Sequence, residues 1–427
     1  MFPREGGRWL GGMTNIEGGA APSGAEVAAR AGESGRKRGG GLPAVGALAA
    51  ATFTVVTSEM LPVGLLTPIG RELRISAGTA GLTLTVTGLV AAVSAPLLTM
   101  LAGRRDRRAL LVALMGTLAA ANLLAAYAPN VVVLLVARVL VGLAMGGVWS
   151  IAAGLAVRLV PARSVAAATS LIFSGVAAAS VLGVPAGTFL GELGGRRTAF
   201  GAMAVVCGAV AVALAVLLPP LPEAAGVRLN GVLGVLRGAP VRTGLVLVAL
   251  LVTGHFAAYT YVRPVLEEVA GADAGQISTL LLAFGLAGLA GNFLAGAGAA
   301  RSPRAALLVI CGVLAGAVSL MPLLARGAGV PGAALVVTVW GLAYGGVSVS
   351  TQTWLMAAAP GAREAASALF VAVFNGAIAL GALAGGRAAD GWGATGVMWL
   401  GGALAVGALV AAGVGRAPGR EVRSWPA

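Results

Sequence analysis

Hydrophobic positions in this chain gather into long runs broken by short polar connectors. The runs cover residues 43–67, 78–101, 109–128, 131–156, 165–190, 198–219, 243–265, 275–299, 305–325, 331–357, 365–388 and 393–415. An uncharged apolar stretch of about 18 residues or more reads as a membrane-spanning helix. One longer polar connector, 220–242, divides six runs from six. The pattern predicts an all-α membrane protein of twelve transmembrane helices. Its expected divisions are a disordered N-tail (1–41), a six-helix bundle (42–219), a linker (220–242), a second six-helix bundle (243–415) and a short C-tail (416–427).

The two halves repeat. Gly142-Leu143-Ala144-Met145-Gly146-Gly147-Val148 in the fourth run matches Gly341-Leu342-Ala343-Tyr344-Gly345-Gly346-Val347 in the tenth. Arg108 opens the third run as Arg304 opens the ninth, and Pro161 precedes the fifth as Pro360 precedes the eleventh. Phe173-Ser174-Gly175 corresponds to Phe374-Asn375-Gly376. The offsets (142 to 341, 108 to 304, 161 to 360, 175 to 376) all lie between 196 and 201. Two six-helix repeats share one orientation, which is the parallel repeat of a two-bundle transporter with its substrate site between the halves.

Composition sharpens this picture. The chain is 58% hydrophobic and 10% charged, with a net charge of +14. Such a charge could serve nucleic acid, but an electrostatic footprint needs a continuous basic face. Here the basic residues sit in the connectors. With the N-terminus in the cytoplasm, 21 basic residues fall inside and 7 outside, leaving Arg138 within a run. The positive-inside rule then puts both termini in the cytoplasm. The expected location is the inner (plasma) membrane. Cys207 and Cys311 lie in apolar runs and read as small core residues. With two cysteines and one histidine, no metal site is expected.

The sequence gives no sign of an enzyme. The single lysine, Lys37, precedes Arg38, so no phosphate-binding Gly-Lys-Ser/Thr loop exists and no ATPase partner is required. Glu59 is the one acidic residue well inside a run. A carboxyl group in the bilayer costs about 2.5–3.5 kcal/mol on insertion scales and marks a functional site by default. Counting along the helices puts Arg138 at a similar depth, about 10 Å below the outer surface. A Glu59–Arg138 pair is therefore feasible, with burial and the cation acting on the carboxyl proton in opposite senses.

Other polar residues in the runs are open to two readings. His255 near mid-span serves either as a hydrogen-bonding packer or in substrate and proton handling. Tyr259 shares its face. Asn375 and Trp149 are further candidates for a substrate cavity. In the fifth run Gly175, Ala179, Gly183, Gly187 and Gly191 repeat every four residues. This stripe is either a tight static contact or a sliding surface. Pro185 within it predicts a bend.

These residues resemble the major facilitator superfamily, in its twelve-helix drug:H⁺ antiporter group. They are most similar to the bacterial sugar-efflux, arabinose-exporter-like and purine-ribonucleoside-exporter branch. The resemblance spans about 43–415 and rests on Thr57-Ser58-Glu59-Met60-Leu61-Pro62, on Gly175 through Gly191 and on Arg138 with Gly142. It rests also on His255 through Tyr261 and on Phe374-Asn375. The resemblance implies a proton-coupled exporter working by alternating access. Glu59 and Arg138 would handle protons, Gly175, Gly183, Pro185, Gly187 and Gly191 would form an antiporter motif, and Asp106-Arg107-Arg108 a gating motif. The last is shortened relative to the family pattern. The implied partners are a small-molecule substrate, protons and the lipid bilayer. No cofactor is implied beyond the proton gradient, and a monomer is expected. The same scaffold also serves importers and non-transporting receptors.

Overall fold

The computed structural model describes residues 41–101, 105–221 and 232–418. Nearly all of the expected N-tail, residues 222–231 of the linker and the C-tail beyond 418 fall outside them. Among the described residues, helices long and apolar enough to cross a membrane include Gly41–Leu73, Arg107–Ala126 and Ala239–Tyr259, and three others run to between 50 and 56 residues. At about 1.5 Å per residue, a 50-residue helix would be far longer than a bilayer core is thick. Each of the three contains a reversal.

The reversals sit at glycines. Gly195 and Gly393 share φ +71° and ψ −174°, and Gly329 has φ +59°. These left-handed angles exclude most side chains, so a glycine can turn the chain there without strain. Across the Gly329 reversal a Cβ on Gly332 would overlap the Leu324 carbonyl. Those two residues would stand far apart along one straight helix. The long helices thus resolve into pairs of antiparallel spans.

We number the spans 1 (Gly41–Leu73), 2 (Ala77–Leu101), 3 (Arg107–Ala126), 4 (Val131–Leu159), 5 (165–191), 6 (196–217), 7 (Ala239–Tyr259), 8 (Ala274–Arg301), 9 (303–328), 10 (330–358), 11 (363–392) and 12 (394–414). Twelve crossings put both ends of the described chain on one face, called here the terminal face. The hairpins 1–2, 5–6, 9–10 and 11–12 lie on the opposite, connection face. Span 5 is not uniform. A π-helical turn, Ala179–Gly183, separates its two parts, and Pro185 follows at the start of the next helix. The predicted bend is therefore a π-turn just ahead of the proline, which loosens the hydrogen-bond ladder where the proline would break it.

The repeat is structural as well as sequential. Arg108 at the start of span 3 donates to the Ala215 carbonyl of span 6, and Arg304 at the start of span 9 donates to the Gly413 carbonyl of span 12. Gly142 and Gly146 of span 4 pack on Thr87, Val90 and Ser94 of span 2. Gly341 and Gly345 of span 10 pack on Phe284 and Gly288 of span 8. In each case a methyl group would overlap the facing helix, which is how small residues draw membrane helices together.

Candidate functional site

Glu59 and Arg138 are both fully enclosed, at 5% and 0% exposure. They come within electrostatic reach of one another, but among the described residues they form no ion pair. Arg138 instead donates Nη1 to the Ser58 carbonyl at 3.1 Å and lies over the Phe200 ring at 5.5 Å. Its Nε and Nη2 and the Glu59 Oε1 have no hydrogen-bond partner. Buried polar groups are nearly always satisfied, so three orphaned atoms in one place call for an explanation.

The first half holds this region through Ser58. Asn122 of span 3 donates Nδ2 to Ser58 Oγ at 3.0 Å and to its own Leu118 carbonyl at 2.9 Å. Cys207 of span 6 lies 3.8 Å from Ser58 Oγ and 3.6 Å from Asn122 Nδ2. Spans 1, 3, 4 and 6 thus meet at the residue before Glu59. Sequence reasoning read Cys207 as packing alone, and nothing in it brought Asn122 to Ser58.

The second half answers with aromatic rings. His255 stacks on Tyr344 with rings 9° from parallel, and on Tyr259 with centroids 4.9 Å apart. Phe284 stacks on Tyr259 at 4.7 Å, and Trp340 meets His255 edge-on. Trp340 Nε1–H donates to His255 Nδ1 at 3.1 Å. An indole can only donate, so Nδ1 must be bare of a proton in this arrangement. The bond fixes the imidazole neutral, and His255 here packs and accepts. Tyr344, half-buried, is the member of the cluster that feels the charge of Glu59 across the halves.

His255 lies 196 residues after Glu59, within the range of the repeat offsets. Corresponding places in the two halves therefore carry opposite chemistry, an ionisable pair in one and a neutral aromatic group in the other. A signal for Tyr344 was present in the repeat. It is the one mismatch in the seven-residue match, opposite Met145.

The remaining predicted residues are more dispersed. Asn375 is buried and donates to its own Val371 carbonyl, leaving Oδ1 without a partner. Its backbone carbonyl lies beside Gly88 of span 2, where the halves meet. Trp149 stacks on Phe173 at 6.0 Å, within the first half. Asp106 caps span 3 through the Arg108 N–H at 2.9 Å and accepts the Leu221 N–H at 2.7 Å. The Arg107 N–H donates to the Leu221 carbonyl. These contacts of Asp106, Arg107 and Arg108 tie the 2–3 loop to the end of span 6, inside one half.

The glycine stripe of span 5 faces span 1. A Cβ on Gly175 would overlap the Ala49 carbonyl and Thr52, while one on Gly183 would crowd Thr57. Gly187 and Gly191 meet the side-chain ends of Leu61 and Leu65. The contact with span 8 of the other half uses different residues, Ser180 and Val181 against Gly285. Gly175→Ala is therefore expected to be the costly change, since a carbonyl cannot step aside. Overpacking of this kind costs about 1–3 kcal/mol. Gly187→Ala should be milder, because Leu61 can move its end. Melting of the purified variants checks this: equal losses at both positions would contradict it.

At the connection face the halves are clasped twice. Arg263, just after span 7 and 5% exposed, donates Nη1 to the Gly64 carbonyl of span 1 at 2.6 Å. Its Nε pairs with Glu267 at 2.8 Å, and Glu267 accepts from Thr67 of span 1 at 2.7 Å. Asp390 at the end of span 11 accepts the Gly78 N–H at 3.0 Å and the Ser76 hydroxyl at 2.9 Å. Span 2 thus has its first turn capped by a carboxylate of the other half. Glu192, in the 5–6 turn, lies beside the first clasp. Burial pushes its carboxyl above the usual range, Arg263 opposes this, and Asp273 and Glu267 add to it. Glu192 is already exposed, so an opened state would remove only the partial burial of its carboxyl and its nearness to Asp273 and Glu267, letting it fall back toward the ordinary range. Protonation therefore favours the clasped state. Acidifying this face should shorten the distance between labels on spans 1 and 7, and Glu192→Gln should remove that response. An unchanged response in the variant would dismiss Glu192.

Comparison with known proteins places these features. The chain matches the profile of the Major Facilitator Superfamily over residues 48–382. It is 36% identical over 370 residues to the purine ribonucleoside efflux pump NepI of Salmonella paratyphi A, covering 86% of this chain and 93% of that one. The protein of the same name from Salmonella enteritidis PT4 is 36% identical over 361 residues, covering 84% and 90%. Among solved structures, a bacterial homolog of the human lysosomal transporter Spinster aligns with a TM-score of 0.69 at 16% identity, covering 86% and 94%. A point mutant of the nucleoside transporter NupG aligns with a TM-score of 0.70 at 12% identity, covering 86% and 98%.

Proposed function

The chain belongs to the major facilitator superfamily and is a multi-pass membrane transporter of small molecules; from that premise we propose that it exports purine ribonucleosides, or molecules of that shape, in exchange for protons. The observation that carries this reading is the pairing of a buried carboxyl on span 1 with an aromatic cluster on spans 7, 8 and 10. A purine is flat and π-rich with a hydrogen-bonding edge. Stacking of a base on an aromatic side chain is worth about 1–3 kcal/mol and tolerates different bases. Tyr344 and its neighbours offer the faces, and Glu59 supplies a titratable acceptor on the opposite wall.

In this cycle Glu59 takes a proton from the outside and releases it inside, and the release is coupled to ejection of substrate. Arg138 keeps the carboxyl in register through Ser58 and supplies a compensating charge when the proton leaves. The relatives that share 36% identity carry the name of purine ribonucleoside efflux pumps, which supports the same substrate class here. Both termini lie in the cytoplasm, so the clasped connection face is the outer one.

The test is transport into inside-out vesicles energised by a proton gradient, with a labelled purine ribonucleoside as substrate. Gradient-dependent uptake is expected. Uptake of a pentose or a hydrophobic dye in its place would replace the substrate class. Movement down a gradient of the opposite sense would make the protein an importer. Reporter fusions at the C-terminus and near residue 326 should read inside and outside respectively.

A further inference from the structure

A second feature lies on the terminal face, away from the carboxyl and the aromatic cluster. Where span 7 begins and span 12 ends there is a groove of about 320 Å³. Its rim carries Arg242 and Arg416, both exposed, and Thr243 stands between. Neither guanidinium has an acceptor among the described residues, and no carboxylate lines the groove. The two helices are close enough that a Cβ on Gly415 would overlap the Thr243 side chain, which fixes the floor.

Three further observations bear on what the groove would hold. Span 7 starts at Ala239 after Gly238, which supplies no side-chain cap. Pro240 has no N–H and the Arg242 N–H bonds to the Gly238 carbonyl, so the first turn offers the Ala239 and Val241 N–H groups at the positive end of the helix dipole. The end of span 12 is partly neutralised, since Arg304 donates to the Gly413 carbonyl. Toward the bilayer the walls turn apolar through Ala411 and Val246, the latter 47% exposed, while Val414, 81% exposed, closes span 12 at the groove's mouth. Positive charge at the membrane surface thus continues into an oily wall at membrane depth.

We propose that this groove binds the headgroup of an anionic phospholipid, with Arg242 and Arg416 paired to its phosphate and its acyl chains lying over Val246 and Val414. The two unpaired arginines select negative charge. Basic pockets between membrane helices bind acidic headgroups for this reason. A soluble phosphate would satisfy the arginines equally but would leave the apolar wall without a role. A zwitterionic headgroup would bring its own cation against two others.

The full chain, purified and placed in phosphatidylcholine nanodiscs, can be titrated with phosphatidylglycerol and its bound lipid read by native mass spectrometry. The wild type should retain phosphatidylglycerol. The double variant Arg242→Gln and Arg416→Gln should lose roughly 30-fold in affinity, from about fivefold per basic residue near an anionic surface. The pair Arg163→Gln and Arg301→Gln removes the same charge from the same face at exposed sites outside the groove. It should retain the lipid. Equal loss in that control would mean general surface charge and overturn the proposal. Unchanged binding by the double variant would also overturn it. Binding of glycerol phosphate without acyl chains as tightly as the lipid would replace the lipid with a soluble anion. Because the substituted arginines are exposed, all variants should elute as the wild type does.

Discussion

Glu59→Gln is expected to end gradient-driven export while leaving a folded protein in the membrane. The amide keeps the size and shape of the acid. It gives up the charge and turns one acceptor oxygen into an N–H donor, while Oε1 has no hydrogen bond to lose. The variant leaves Arg138 buried with less opposing charge, a cost that its bond to the Ser58 carbonyl and its place over the Phe200 ring offset in part. The chemistry is different, because no other described carboxyl lies within the core of a span to carry a proton. Losses of about 100-fold or more accompany removal of a group that must exchange a proton in the working cycle. Counterflow of labelled for unlabelled substrate needs no net proton movement and should persist. Full gradient-driven export by the variant would remove Glu59 from the mechanism; loss of counterflow as well would make it a substrate ligand instead.

Arg263→Ala is expected to open the connection face. In the clasped state this side chain makes a charge-assisted bond to the Gly64 carbonyl and an ion pair with Glu267. Hydrogen bonds to charged groups are worth about 1.5–3 kcal/mol. They exist in one state of the molecule and not the other, so their loss shifts the equilibrium by their full differential value. A shift of about tenfold or more toward the open state follows, at 1.4 kcal/mol per tenfold. Spin labels at Arg71 and Glu268 report it as a longer distance in the variant. Arg263→Lys should recover little, since one ammonium cannot reproduce the two-sided fork. An unchanged distance distribution would reduce the clasp to packing, leaving the Asp390 cap as the closure.

The fold was legible because it rests on one-dimensional signals. Apolar runs give spans, the polar breaks between them give the connections, and the near-200-residue offset of motifs gives the repeat. Glu59 was legible for the same reason, as a carboxyl alone in a run. What escaped the sequence were relations between distant residues. Nothing near His255 announces that Trp340, 85 positions away, will hold its Nδ1 as an acceptor. Nothing near Arg138 says that its guanidinium will choose the Ser58 carbonyl over the Glu59 carboxylate. Equal depth placed the pair together, but direction depends on rotamers and on the turn of span 1. The glycine stripe was legible as a close-contact surface. That it lies along span 1, and that span 5 reaches the other half through Ser180 and Val181, is set by helix rotation, which a four-residue period does not specify.

The unlike chemistry of the two halves has a consequence for how such a carrier diversifies. The two halves repeat one scaffold, and here one carries the acid and the other the rings. If Glu59 couples and the rings select, as proposed, energy input and ligand choice answer to different stretches of the gene. On the proposed reading, a change at Tyr344, Phe284 or Trp340 would alter what fits without touching Glu59, the group proposed to couple to the membrane gradient. New cargo can be tried by successive substitutions in the later half while the earlier half goes on working. A lineage built this way should vary most at its rings and least at its acid.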